Sequence, residues 1–146
     1  MGILRRELEL DGTGRVLDIG TGTGNVIVPL APLFDEAVGL DPDQDMLAQA
    51  AAVAREAGVT TLRWVPATAE ELPLGLGRFR MVTFAQALHW MDRQRVVSAV
   101  YDMLDGGGAA VVVGQRNPEH DDADTAPWDD LRALQARPAH RARDRA

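Results

Sequence analysis

The chain has 146 residues, 46% hydrophobic and 25% charged, the size and mixture of one soluble domain with one core. Fifteen basic residues, all Arg, against twenty-two acidic ones leave a net charge of -7, which excludes attraction to nucleic acid or anionic lipid by bulk charge and removes lysine Schiff-base and Walker-lysine chemistry. Zero Cys excludes disulfides, thiolate metal sites and a cysteine nucleophile, and no apolar run approaches the ~20 residues that span a bilayer.

Arg15-Val16-Leu17-Asp18-Ile19-Gly20 is predicted to be a buried first strand running into the turn Gly20-Thr21-Gly22-Thr23-Gly24. A helix is expected over Asn25 to Phe34, bent or shortened by Pro29 and Pro32. Ala37 to Asp41 is the second strand, and Asp43 caps a helix through Gln44 to Ala57 that Gly58 ends. Thr61 to Val65 is the third strand, with a short turn at Ala69-Glu70-Glu71. Phe79 to Ala85 is the fourth strand, Arg93 to Leu104 a helix ended by Gly106-Gly107-Gly108, and Ala109 to Gly114 the fifth strand. Nearly continuous apolar strands alternating with helix-sized segments predict an α/β fold, a doubly wound parallel sheet covered on both faces. Residues 1–116 form the predicted domain; 117–146 is expected to be an acidic loop, a short helix from Trp128 to Gln135 and a frayed end.

Glycines after a first parallel strand let a ligand approach the backbone while the next helix presents unpaired N–H groups. The glycines at 20, 22 and 24 spell G-x-G-x-G; a dinucleotide fingerprint would need its third glycine where Asn25 stands. Asp18, two residues before the first glycine, opposes a pyrophosphate but suits an amino group. A strand-to-helix turn that binds nothing is the alternative. Asp41, seventeen residues beyond Gly24, can accept both hydroxyls of a ribose or merely begin the next helix. Together the two features favour an adenosine-containing ligand at the carboxyl edge of the sheet.

Val16 to Gly24, Val38-Gly39-Leu40-Asp41-Pro42 through Met46-Leu47, and Phe84-Ala85-Gln86-Ala87-Leu88-His89-Trp90 resemble three ordered motifs of the class I S-adenosylmethionine-dependent methyltransferases, in particular the small-molecule type related to ubiquinone/menaquinone C-methyltransferases. The resemblance implies a Rossmann-like sheet ordered 3-2-1-4-5 and S-adenosylmethionine as cofactor. It places Gly20, Thr21, Gly22 and Gly24 along the methionine part, with Asp18 at its amino group and Asp41, followed by Pro42, at the ribose. Met46 either packs near the cofactor or is core. Thr68 stands where the family often carries an acidic residue for the adenine amine, beside Ala69 and Glu70. Ala85 and Gln86 close the cofactor side, and His89 lies where the methyl is presented, able to take a substrate proton. Packing under the next helix is the other reading of His89 and Trp90. His89, His120 and His140 fall in segments too unlike to suggest a metal site.

Complete members of this family carry a sixth and a seventh strand, both of which are expected to be missing from a chain of this length. Val111-Val112-Val113 is then expected to be an edge strand, bare unless the Trp128 to Leu134 segment folds over it, and a homodimer joined near the fifth strand or that C-terminal segment is expected. The expected activity is methyl transfer to a small molecule in the cytoplasm, without nucleic acid or membrane as partner. A cofactor-binding remnant with little catalysis and an NAD-dependent dehydrogenase are the alternatives.

Overall fold

A computed structural model of the chain describes residues 11–85, 92–113 and 132–136. Five parallel strands, β1 (Arg15–Ile19), β2 (Glu36–Asp41), β3 (Leu62–Pro66), β4 (Phe79–Ala85) and β5 (Leu104–Val113), stand in the order β3-β2-β1-β4-β5, as expected. The strands alternate between two apolar layers. Leu17, Val38, Val82 and Ala110 face one side, where Val96, Val100 and Met103 of helix α3 (Arg93–Met103) cover them. Val16, Ala37, Met81 and Val111 face the other, covered by Ile27 and Leu30 of α1 (Ile27–Leu30) and Ala54 of α2 (Gln44–Glu56). Burial on both faces explains why these strands carry continuous rather than alternating apolar runs.

The helix expected over Asn25 to Phe34 is reduced to the four residues of α1 and a 3-10 turn, Ala31–Leu33, because Pro29 and Pro32 lack the N–H that a longer helix would use. Helix α2 begins at the expected cap: one oxygen of Asp43 accepts the N–H groups of Asp45 and Met46, at 3.0 and 3.2 Å.

Two expectations need correction. Gly106 to Gly108 does not lie between helix and strand but inside β5. Phe79 pairs with Leu104 and Met81 with Ala109, so β5 takes up its extra residues in a bulge. A Cβ at Gly108 would sit 2.8 Å from the Arg80 carbonyl oxygen, so only glycine lets β5 approach β4 there. Secondly, residues 132–136 are not helical. Arg132–Ala136 forms a sixth strand, β6, antiparallel to β5, with Val112 opposite Arg132 and Ala109 opposite Ala136. The outer edge of β5 supplies unpaired backbone groups, and pairing them outweighs the helix propensity of this Arg, Ala, Leu and Gln sequence. The edge of β5, one of the two places at which a homodimer is expected, is therefore paired with Arg132–Ala136 of the same chain. Among the described residues no helix is long and apolar enough to cross a membrane.

Candidate functional site

The chain leaves β1 for β2 on one side and later returns to add β4 on the other, so loops diverge at the carboxyl ends of β1 and β4. Crevices of this kind are where open α/β sheets bind ligands. Along the α1 face the side-chain columns change character at that edge. Val16 gives way to Asp18 on β1, and Met81 to Thr83 on β4, with Asp18 and Thr83 in register and both wholly buried.

Asp18 is held by two hydroxyls. Thr21 donates to Oδ2 at 2.7 Å and Thr83 to Oδ1 at 2.6 Å. Burial pushes the Asp18 carboxyl up to about 6 from an ordinary 3.8; the Thr83 and Thr21 hydrogen bonds oppose the rise and the Asp41 carboxylate adds to it. Among the described residues its hydrogen-bond partners are thus neutral, and no cation offsets its charge. A buried carboxylate so arranged is suited to an incoming ammonium group.

The glycine turn is fixed from below by its own backbone, the N–H groups of Gly20 and Thr21 both donating to the Leu40 carbonyl at 2.8 and 2.9 Å. Gly20, Gly22 and Gly24 have φ of 72°, 56° and 85°, a region that side chains with a Cβ disfavour. A Cβ at Gly22 would meet nothing within 4 Å, so that residue borders open space. The Gly22 N–H donates to Asp41 Oδ2 at 3.0 Å, and the Asp43 N–H to Asp41 Oδ1 at 2.9 Å. Each Asp41 oxygen keeps a further lone pair, and the side chain is only partly buried. Asp41 therefore ties the glycine turn to the start of α2, through Pro42, while remaining open to a ligand diol.

Met46, in the first turn of α2, is 40% exposed, which removes its reading as core. After β3, Thr68 closes a capping box with Glu71: its N–H reaches Glu71 Oε2 at 2.6 Å and its hydroxyl the same oxygen at 3.2 Å. Ala69 is buried, and Glu70 Oε1 accepts the Asp92 N–H at 3.1 Å, tying this turn to the cap of α3. Ala85 ends β4, opposite Val113. Gln86, His89 and Trp90 lie outside the described residues. Among those described, no group of three or more His, Cys, Asp or Glu is placed to hold a metal ion.

Two residues to which the sequence assigns no role shape this edge. Thr83 reads as an ordinary β-former, and its only signal is a polar side chain at the inward position two beyond Met81. Gly39 reads as a small strand residue. A Cβ there would lie 2.6 Å from Cζ3 of Trp64 and 3.1 Å from Cγ2 of Thr21, so its absence lets the Trp64 ring and Thr21 close over β2.

Residues 16–108 match the family model described as a methyltransferase domain. The uncharacterised methyltransferase YcgJ of Bacillus subtilis is 32% identical over 120 residues, 82% of this chain and 47% of that protein. The ubiquinone/menaquinone biosynthesis C-methyltransferase UbiE of a Geobacter species is 31% identical over 120 residues, 77% of this chain and 50% of that one. The crystal structure of YcgJ superposes with a TM-score of 0.70, covering 82% of this chain and 51% of YcgJ. The chain spans about half the length of these relatives. Its sheet order, its glycine turn with Asp18 and Asp41, and these matches together establish that the chain belongs to the class I S-adenosylmethionine-dependent methyltransferases.

Proposed function

We propose that the chain binds S-adenosylmethionine across the carboxyl edge of β1 and β2 and serves methyl transfer to a small molecule. The observation that carries this reading is the wholly buried Asp18 carboxylate, bonded among the described residues to two hydroxyls, beside a glycine turn that borders open space. A ligand with an ammonium group and a ribose fits both it and Asp41. Asp18 and the turn from Gly20 to Gly24 would hold the amino acid tail, Asp41 the ribose hydroxyls, and Met46 the apolar side of the nucleoside. Thr68, Ala69 and Glu70 would border the adenine, with backbone groups contributing more than Thr68, whose hydroxyl is already engaged by Glu71.

The bound cofactor supplies a sulfonium methyl that is already activated for displacement. The chain's own task is then to position the acceptor in line and exclude water, which contributes ~7–11 kcal/mol in well-oriented reactions. His89 would accept the proton that an oxygen or carbon acid releases. The net charge of -7 favours a small-molecule acceptor over nucleic acid.

Calorimetric titration with S-adenosylhomocysteine and with NAD tests the cofactor assignment. Binding of the former and none of the latter is expected, since Asn25 replaces the third dinucleotide glycine and Asp18 repels a pyrophosphate. Tighter binding of NAD refutes it.

A further inference from the structure

We propose that Thr83 is a positioning residue for cofactor binding, its hydroxyl keeping Asp18 ionised for the cofactor's amino group. The inference rests on the cofactor reading above and adds to it a residue outside the recognised motifs. Thr83 is wholly buried on β4, and a hydroxyl in that position must be hydrogen-bonded to be tolerated. Its oxygen lies 2.6 Å from Asp18 Oδ1 but 3.5 Å from the Leu17 carbonyl, and a hydroxyl has one proton to give. The shorter contact therefore receives it, as a donor to a carboxylate.

Thr21 does the same for Oδ2, but Thr21 belongs to the glycine turn, whereas Thr83 stands on the sheet and keeps its place whether or not that turn adjusts to a ligand. The charged residues on the elements around Asp18 are Arg15 of β1, Glu36 and Asp41 of β2, Arg80 of β4, Asp43 and Asp45 at the start of α2, and Arg55 and Glu56, both exposed, at its far end. Arg15 and Arg80 lie toward the opposite end of the strands, and Asp41 raises the Asp18 carboxyl rather than lowering it. The two hydroxyls are thus what favours the ionised form. Without Thr83, Asp18 retains its proton to higher pH, and a protonated Asp18 presents no charge to an ammonium group.

The test is S-adenosylhomocysteine affinity between pH 5.5 and 8.5 for the wild-type chain, Thr83→Val, Thr83→Cys and Thr83→Ser, with the Asp18 carboxyl titrated by carbon-13 NMR in each ligand-free protein. An upward shift of about one pH unit in Thr83→Val weakens binding about fivefold at pH 6 and by only ~10% at pH 8. Thr83→Ser, which keeps the hydroxyl, restores the wild-type profile. Thr83→Cys, a weaker donor of similar size, falls between and decides the matter if the valine variant does not fold. Weakening of equal size at every pH, or an Asp18 titration that does not move, overturns the inference and leaves Thr83 a packing residue. A wild-type chain that binds no S-adenosylhomocysteine overturns the cofactor reading instead, while the carboxyl titration, which needs no ligand, still decides whether Thr83 controls Asp18.

Discussion

Asp18→Asn separates what the buried carboxylate costs the fold from what it contributes to binding. The side chain keeps its shape, and the Thr21 and Thr83 hydroxyls can each rotate to donate or accept. Because the Asp18 carboxyl rises from 3.8 to about 6 on folding, the native state holds this proton more tightly than the unfolded chain does. The stability linked to that proton is fully present below 3.8 and is lost as pH rises through about 6. Two pKa units correspond to about 3 kcal/mol, an upper limit on what the ionised form costs at pH 7. Asn has no charge to desolvate, so the stability difference between variant and wild type should move in the variant's favour by about 1–3 kcal/mol between pH 4 and pH 7. Urea unfolding of both proteins at the two pH values measures it. Asp11, held near 2 chiefly by the Thr13 hydroxyl, titrates in both proteins and cancels from the difference. A difference that is the same at both pH values would falsify the claim that Asp18 is ionised at a cost to folding. The same variant should bind S-adenosylhomocysteine more weakly at pH 7, the expected trade of stability against a functional charge.

Asp41→Ala should weaken S-adenosylhomocysteine binding by ~10 to 100-fold, since hydrogen bonds to a charged acceptor contribute about 1.5–3 kcal/mol. The variant also frees the Gly22 N–H from its 3.0 Å bond, so the glycine turn should show faster amide exchange; an unchanged dissociation constant removes Asp41 from the site. Gly39→Ala places a methyl 2.6 Å from the Trp64 ring with Thr21 close on the other side. It should destabilise the fold by about 1–3 kcal/mol, measured as a lower urea midpoint, with part of the loss recovered when Trp64→Leu is added. Additive losses in the double variant would show that the two residues do not meet.

What was legible in the sequence follows from which interactions are local. Strands β1, β2 and β4 and residues 109–111 of β5 are buried, so their largely apolar runs announce them, and Asp43 caps α2 through N–H groups two and three residues away. The glycine turn is read from spacing because its φ values are a property of single residues. Strand β6 was not legible, since its partner is the edge of β5 and nothing within Arg132–Ala136 favours a strand over a helix. Thr83 and Gly39 escaped for the same reason: one acts on a carboxylate 65 residues earlier, the other on a ring across the sheet. Yet a trace of the site lies in the period of two. Val16 and Met81 are apolar, and two residues further along the same columns Asp18 and Thr83 are polar while the intervening Leu17 and Val82 remain core. A parallel strand covered on both faces has no solvent to excuse an inward polar residue, so each must find a partner within the protein or in a ligand. Two such residues in register on adjacent strands, one a carboxylate and the other a neutral donor, satisfy the hydrogen bonds of the pair but leave its charge unbalanced. That residual negative charge, at the edge where the loops diverge, suits a cationic ligand better than a pyrophosphate on a fold that serves both.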